Sequence, residues 1–184
     1  MEVILYGEGR DQKFSSQMVD ALRLRYSTLF FGKHFLSSTK PSSSLLLFEE
    51  TQKLKISSDN CLVILRERAD VSKLKLLNSN IPVLVYSNHQ RQIEALSKRG
   101  YRAITCGLLE KDTLNFSSLG EDFSMITLQR SLHCFHKSVE PMDVPLLHPK
   151  DFSPYLLLSL TAIALFLESP EELELNFRTA RSWQ

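Results

Sequence analysis

A run of five apolar residues, Cys61–Leu65, constrains the fold of this chain more than any other segment. Continuous apolar runs of this length are typical of parallel strands that are covered on both faces. Two further runs of strand character follow at 81–86 and 101–106, with helix signals between the three runs. Because crossovers of this length almost always join parallel neighbours in a right-handed sense, residues 61–106 predict a β-α-β-α-β unit.

Capping residues define the two predicted helices of this unit. Asp70 is expected to cap the first, a short helix with Val71, Leu74 and Leu77. The second should begin at Ser87 or Asn88 and end at Lys98-Arg99-Gly100, where glycine takes the left-handed position after the last turn. The residues expected to face inward on the second helix are Ile93, Ala95 and Leu96.

The N-terminal third adds further strand and helix signals. Residues 3–6 predict a strand that ends in the turn Gly7-Glu8-Gly9, and residues 45–48 predict another. Asp11 is expected to cap a helix between these strands. The apolar residues assigned to that helix are Phe14, Met18, Ala21, Leu22 and Leu29.

The character of the chain changes after Gly107. Segments 113–119 and 123–129 predict an antiparallel hairpin, and 132–139 predicts one more strand. Two helices are expected to follow, capped at Asp151 or Ser153 and at Ser169. The predicted fold is a three-layer, Rossmann-like α/β domain with a mainly parallel sheet. Residues 1–184 would form this single domain, with a parallel core (1–111), an antiparallel extension (112–150) and a helical pair (151–184).

The net charge of +1 conceals a marked division along the chain. Residues 61–111 carry 9 basic and 4 acidic side chains, whereas residues 112–184 carry 5 basic and 10 acidic ones. A chain that is neutral overall is a poor candidate for a dedicated nucleic-acid binder. The basic middle indicates either complementary packing between the two regions or an anion-binding surface.

The cysteines and the apolar segments indicate in which cellular compartment the protein is expected to function. Cys61, Cys106 and Cys134 form no CxxC pair and are odd in number, which favours a reducing cytoplasm. The N-terminus lacks the positive region and the apolar stretch of about 7–15 residues that a signal peptide has. Segment Pro154–Leu167 is shorter than the about 20 apolar residues that span a membrane, so we expect a buried helix.

The predicted topology places a ligand site at the carboxyl ends of the parallel strands, where loop amides and helix N-termini converge. The loops there carry basic and amide side chains that suit a phosphate or carboxylate. The alternative is that these loops are merely solvated. The predicted ligand-binding residues are Gly7, Gly9, Arg10, Arg66, Arg68, Asn88, Arg91 and Lys111.

The known catalytic and metal-binding patterns are weak in this sequence. Gly7-Glu8-Gly9 lacks the third glycine of a dinucleotide fingerprint, and the chain contains neither a GxxxxGK[ST] P-loop nor a GxSxG elbow. His133, Cys134 and His136 are potential metal ligands, but only His148 and Cys106 could complete a set, so no metal site is predicted. Cys106 could act as a nucleophile beside His89, although a buried structural cysteine is the commoner outcome.

Residues 81–130 carry a resemblance to a known family. A strand ending in Ser87-Asn88 is followed by a helix, by Tyr101-Arg102-Ala103-Ile104-Thr105-Cys106-Gly107, and then by Lys111-Asp112-Thr113, Ser117-Ser118 and Leu128-Gln129-Arg130. This segment resembles the part of Mur ligases that follows their ATP-binding core, and also small bacterial proteins that carry this part without the ligase machinery. The ligases bind ATP through a P-loop and magnesium through acidic and histidine ligands. No position of this chain matches those, so the resemblance implies no catalytic residue and no cofactor.

Three functional hypotheses follow. The first is a non-catalytic cytoplasmic domain that binds an anionic small molecule, a nucleotide or a cell-wall precursor, at the strand ends. The second is an interaction protein that forms a homodimer through the apolar helix Pro154–Leu167. The third is a ligase- or transferase-type enzyme that uses Cys106 or Asp112, which requires a pocket with convergent titratable groups.

Overall fold

The computed structural model describes residues 1–8, 13–32, 36–38 and 45–178. Its helices are α1 (Phe14–Arg25), α2 (Gln90–Lys98) and α3 (Pro154–Leu167), with short 3-10 turns at Val71–Lys73 and Pro170–Glu172. Its strands are β1 (Glu2–Tyr6), β2 (Thr28–Phe31), β3 (Leu36–Ser38), β4 (Leu45–Glu50), β5 (Leu54–Ile56), β6 (Cys61–Leu65), β7 (Leu74–Leu76), β8 (Val83–Tyr86), β9 (Ala103–Gly107), β10 (Leu114–Leu119), β11 (Phe123–Leu128), β12 (Leu132–Cys134), β13 (Lys137–Val139), β14 (Met142–Leu147) and β15 (Leu175–Asn176).

One large sheet organises the described residues. Eleven strands lie in the order β15-β14-β11-β10-β9-β8-β6-β1-β4-β2-β3. The strands from β2 to β10 in this order run parallel. The hairpin β10–β11 and strand β14 then continue the sheet antiparallel. The predicted fold class, α/β with a mainly parallel sheet and an antiparallel extension, is confirmed.

Strand β6 explains why the molecule has three layers. Its five side chains are all fully buried, and they alternate between two separate apolar cores. Leu62 and Ile64 belong to the core that contains α1 and α3, whereas Val63 and Leu65 belong to the core that contains α2 and β7. Because a strand presents successive side chains to opposite faces, a continuous apolar run requires a cover on both.

Helix α3 is buried on every side. Ser153 caps it by accepting a hydrogen bond from the Leu156 amide, and every residue from Leu156 to Phe166 is buried within the chain. The hydroxyls of Ser159 and Thr161 donate to backbone carbonyls one turn earlier, at 2.7 and 3.0 Å, so neither is left unsatisfied. This helix therefore presents no exposed apolar face to a second copy, and the dimer hypothesis loses the observation on which it rested.

No helix among the described residues is long and apolar enough to cross a membrane.

The crossover between β6 and β8 differs from the prediction. Asp70 does cap the segment, accepting from the Ser72 amide at 3.0 Å, but only a 3-10 turn follows. Strand β7 comes next and pairs with β5 outside the main sheet, which also accounts for the otherwise unassigned residues 53–56. Leu74 and Leu76 are buried while Leu77 is half exposed, so the apolar period is two and a strand forms.

The predicted second C-terminal helix is likewise wrong. Pro170 begins only a 3-10 turn, and β15 follows it beside β14. Leu173, Leu175 and Phe177 are buried whereas Glu174 and Asn176 are exposed. This alternation belongs to a strand, and it outweighs the helix-start signal at Ser169-Pro170.

Strand β14 is absent from the sequence prediction because Pro145 lies within it. The Phe177 amide donates to the Leu147 carbonyl, so the polar backbone groups of Leu147 point towards β15. Those of Pro145, two residues earlier, point to the same side, where β15 no longer pairs with β14. The missing donor of proline is therefore tolerated at an open edge.

Smaller differences concern element ends. Helix α1 ends at Arg25, and Leu29 lies in β2 instead of the helix. Segment 132–139 folds into two short strands joined by a tight turn, not one strand. Helix α2 has His89 instead of Ser87 or Asn88 at its N-cap position, with no side-chain capping bond, and Gly100 has the expected positive φ. The predicted cap Asp11 lies outside the described residues.

The burial of α3 predicts a large cost for truncating one of its leucines. Replacing fully buried Leu160 with alanine should lower the free energy of unfolding by about 2–5 kcal/mol, through lost apolar contact and the cavity left behind. The matched control is Leu24→Ala on α1, where the side chain is 49% exposed and the change should stay within about 0.5 kcal/mol. Urea denaturation measures both, and similar values for the two variants would contradict the buried position.

Candidate functional site

The carboxyl ends of five adjacent parallel strands, β4, β1, β6, β8 and β9, lie at one edge of the sheet, which we call the carboxyl edge. The loops that follow β1, β6, β8 and β9 contain the predicted ligand-binding residues. Helix α2 begins directly after the loop of β8, so its N-terminus also lies at this edge. Gly9 and Arg10 lie outside the described residues.

Gly7 allows two of these loops to pack together. Its φ is +96°, and a Cβ atom there would lie 2.4 Å from the Ala69 Cα. The loop after β6 is held against the end of β1 by backbone hydrogen bonds of 2.8 Å, from the Arg66 amide to the Tyr6 carbonyl and from the Arg68 amide to the Glu8 carbonyl. Gly7 thus serves a tight turn and a close approach of backbone to backbone.

Arg66 is buried at the carboxyl edge and pairs with a carboxylate. It is 8% exposed, and its guanidinium forms an ion pair with Glu49 at the end of β4. Ser15 donates to the same Glu49 oxygen at 3.0 Å, and the guanidinium lies 5.9 Å from the centre of the Phe14 ring. Arg66 therefore joins β6, β4 and α1, and its charge is already balanced by the protein.

Gln92 is a residue that sequence reasoning missed. It lies on α2 and is 7% exposed, more buried than the predicted inward residues Ile93 and Ala95. Its side-chain amide donates to the Arg66, Glu67 and Ala69 carbonyls at 2.9, 3.1 and 3.4 Å. Gln92 thereby fixes the shape of the loop after β6, a role that no local sequence pattern indicates.

The remaining predicted side chains at this edge are exposed. Arg68 follows β6, Asn88 and Arg91 follow β8, and Lys111 follows β9. Arg91 lies in the first turn of α2, where backbone amides and the positive end of the helix dipole favour anions. Three adjacent strands therefore each supply at least one exposed donor to the same edge.

Asp112 is held by hydrogen bonds inside the loop that follows β9. It is 1% exposed, and its Oδ2 accepts from the Ser87 hydroxyl at 2.8 Å and from the Leu109 amide at 3.2 Å. Gly107 allows this contact, because a Cβ there would lie 2.1 Å from the Ser87 Oγ. The sequence analysis named Asp112 as a candidate catalytic group but did not predict its hydrogen bond with Ser87.

Cys106 lies beneath the same loop and is fully buried. Burial, and secondarily the charge of Asp112, raise the pKa of its thiol well above the ordinary value. Its Sγ lies 3.6 Å from the Val85 carbonyl oxygen. His89 packs edge-on against the Tyr86 ring at 5.9 Å, and its Nδ1 has no hydrogen-bond partner among the described residues. These contacts suit a structural cysteine better than an activated nucleophile.

An aromatic cluster ties the helices to the ends of the strands. The Tyr155 hydroxyl donates to the Leu65 carbonyl at 2.6 Å, and its ring packs against Phe14 at 5.6 Å and Tyr86 at 5.1 Å. Burial raises the pKa of Tyr155 well above its ordinary value. The sequence showed Tyr155 only as one residue of an apolar helix, so this contact also went unpredicted.

The His-Cys-Phe-His segment lies away from the carboxyl edge, in the hairpin β12–β13. Cys134 is buried and its thiol donates to the Leu132 carbonyl, whereas His133 and His136 are exposed. His148 bonds instead to the Ser124 hydroxyl at 2.8 Å and to the Pro149 carbonyl at 2.9 Å. Across the described ranges, no group of three or more histidine, cysteine or acidic side chains is arranged to hold a metal ion.

No protein-family model and no curated protein sequence matches this chain. Solved structures do. MurF ligase from Thermotoga maritima in complex with ADP has a TM-score of 0.50 and 10% identity, and MurF from Acinetobacter baumannii has a TM-score of 0.54 and 12% identity. A murein peptide ligase, Mpl, from Psychrobacter arcticus 273-4 has a TM-score of 0.51 and 8% identity.

This chain shares its fold with a segment of the Mur ligases. The matches cover 90–91% of this chain but only 42–44% of the ligase chains, so it spans less than half of their length. The resemblance predicted from residues 81–130 is thus confirmed and extends over most of the molecule. At identities this low the similarity concerns the fold, and any function has to be argued from the side chains.

The buried ion pair predicts unequal roles for two neighbouring arginines. Arg66→Ala should lower the free energy of unfolding by about 3 kcal/mol, because it leaves the Glu49 carboxylate without its partner. Arg68→Ala, two residues later and exposed, should change it by no more than about 0.5 kcal/mol. Chemical denaturation of both variants measures the difference, and equal losses would show that Arg66 is not held in this pair.

The cysteines should resist alkylation while the protein is folded. All three are buried, and burial raises the pKa of Cys61 to about 12 and that of Cys134 to about 11, with Cys106 also raised. Because the pKa values lie above the ordinary one, the thiols stay protonated at pH values near 8, where exposed cysteines already react. Iodoacetamide followed by mass spectrometry should label none quickly in buffer and all three in urea. Rapid labelling of native Cys106 would contradict its structural role.

Proposed function

We propose that this protein binds an anionic small molecule of the nucleotide class at the carboxyl edge, and that it does so without catalysing a reaction. One observation carries the proposal. Arg68, Asn88, Arg91 and Lys111 are exposed donors that follow three adjacent parallel strands, and α2 begins directly after the loop that contains Asn88. Guanidinium, ammonium and amide groups beside a helix N-terminus suit phosphate oxygens.

The buried groups at this edge favour binding over catalysis. The carboxylate of Glu49 is engaged by Arg66 and Ser15, and that of Asp112 by Ser87 and the Leu109 amide. A general base or a nucleophile needs a free lone pair within reach of the substrate. Asp112 and Cys106, the groups that sequence reasoning had considered for chemistry, are 1% and 0% exposed, so neither is within reach of a ligand in solution.

The fold relatives support the choice of ligand class. One of the similar structures, the Thermotoga ligase, was solved in complex with ADP. In open parallel sheets, ligands bind outside the carboxyl ends of the strands, whatever reaction follows. We therefore take a diphosphate as the chemistry to test, either as a plain nucleotide or as the nucleotide portion of a cell-wall precursor.

A thermal-shift and calorimetry experiment with ADP, UDP and UDP-N-acetylglucosamine tests this proposal. At least one of them should raise the melting temperature, since a ligand at about 100 times its Kd stabilises a folded protein by about 2.7 kcal/mol. Arg91→Gln should weaken the binding about tenfold, because a charge-assisted hydrogen bond is lost. The ligand should be recovered without release of phosphate or sugar.

Lys98→Gln is the matched control, because it removes one positive charge from an exposed position at the other end of α2. It should leave the affinity unchanged. No stabilisation by any of the three ligands, or equal effects of the two variants, would refute the binding site. Turnover of a bound ligand would refute the non-catalytic part alone.

A further inference from the structure

The hairpin β12–β13 closes a cavity at the amino ends of the parallel strands, opposite the carboxyl edge. The cavity has a volume of about 230 Å³. The Phe135 ring anchors the hairpin against Phe166 of α3 at 4.9 Å, and the Lys137 ammonium donates to the Glu168 carbonyl. The residues that line the cavity are Asp59, Asn78, Asn80, Ile81, Arg102, His133 and Phe135.

The turn of this hairpin has an unfavourable backbone conformation. Phe135 has a φ of +24°, a value that residues with a side chain rarely adopt. Such conformations persist only where the surrounding structure enforces them, and they concentrate at ligand-binding positions. In this conformation Phe135 both packs against Phe166 and lines the cavity.

Arg102 is a partly buried cation in the wall of this cavity. It precedes β9, and one terminal nitrogen of its guanidinium donates to the His133 carbonyl. Within the described ranges, no acidic side chain forms an ion pair with it, and burial lowers the pKa of the guanidinium. Burying a charge is unfavourable unless it is paired, and a guanidinium has five N–H donors. An anion in the cavity would supply the missing partner.

The loops that precede β6 and β8 contribute acceptors and amides to the lining of the same cavity. The Asn78 side chain donates to one Asp59 oxygen at 2.7 Å and accepts from the Asn80 amide at 2.9 Å, so its orientation is fixed. The second Asp59 oxygen and the Asn80 side chain are not used by these bonds. A ligand that carries both a negative group and a hydrogen-bond donor would find partners for the two in Arg102 and Asp59.

We propose that this cavity binds a small carboxylate that also carries a hydroxyl or amino group, with the carboxylate on Arg102 and the donor towards Asp59. The cavity is smaller than the roughly 300–1,000 Å³ of sites for drug-sized ligands, which limits the ligand to a few heavy atoms beyond the carboxylate. The site is separate from the carboxyl edge, so each can be present without the other.

Protein-observed NMR with propionate, L-lactate and L-alanine tests this proposal. The three probes have the same carbon skeleton and differ in carrying no donor, a hydroxyl or an amino group. Lactate or alanine at millimolar concentrations should shift the Arg102 Nε–H signal and the amides of residues 78–81 and 133–136. Propionate should bind more weakly than either. Whichever of lactate and alanine binds more tightly shows whether the site prefers a hydroxyl or an amino group. If propionate bound with the same affinity as lactate and alanine, the proposed contact with Asp59 would be refuted.

Two variants test the contributions of Arg102 and of the loop that contains Asn80. Arg102→Gln removes the cation and should weaken the binding of lactate and alanine about tenfold. Asn80→Asp adds a negative charge to the cavity without changing the side chain's size, and should weaken the binding of lactate, a net anion, about tenfold. The first control is Arg99→Gln, which removes arginine bonds to the Ser72 and Leu74 carbonyls outside the cavity. The second is Asn176→Asp, which adds the same charge on distant β15. Both controls should bind normally.

Three results would contradict the proposed site. Absence of shifts with all three probes in the folded protein would overturn the proposal. Unchanged affinity for lactate in Asn80→Asp, which keeps the Arg102 contact to the hairpin, would also overturn it. Shifts confined to the first turn of α2 would place the anion at the carboxyl edge instead and refute this cavity as its site.

Discussion

The double cover of the central strands is the constraint on which the rest of this structure depends. The side chains of β6 are buried on both faces, and its backbone groups pair with β1 and β8. A strand in this position offers no polar group to a ligand along its length. Hydrogen-bonding and charged groups are consequently concentrated at the two ends of the sheet, where the strands turn into loops.

The parallel core was predictable from local pattern, whereas its surroundings were not. The apolar run Cys61–Leu65 indicates a doubly covered strand by itself, and Gly100 marks a helix end by its freedom to adopt positive φ. The segments at 74–76 and 173–177 were wrongly assigned to helices instead of strands, because Val71, Leu74 and Leu77 also have a helical spacing and Ser169-Pro170 is a helix-start signal. Their strand pairing with β5 and β14 decides between the two, and that pairing is tertiary.

At the candidate site, too, local sequence pattern predicted the position of the loops but not the roles of their side chains. The loops were correctly expected to meet at one edge, because neighbouring parallel strands end together. Their individual roles depend on partners that are distant in sequence. Glu49 is the penultimate residue of β4, and Arg66 forms its ion pair with it across the end of β1, which lies between β4 and β6. The charge of +5 over residues 61–111 therefore overstates the positive charge that is free to meet a ligand.

Two arginines at opposite ends of the sheet show why fold similarity does not determine chemistry. Arg66 is buried with a carboxylate, and its removal would expose an uncompensated charge within the protein itself. Arg102 is partly buried against a backbone carbonyl, and among the described residues it has no carboxylate partner. The charge of Arg66 is balanced within the protein, whereas the charge of Arg102 has no carboxylate among the described residues to balance it. A fold shared with a segment of the Mur ligases positions the strands and their loops, but the partner of each side chain determines what that side chain does.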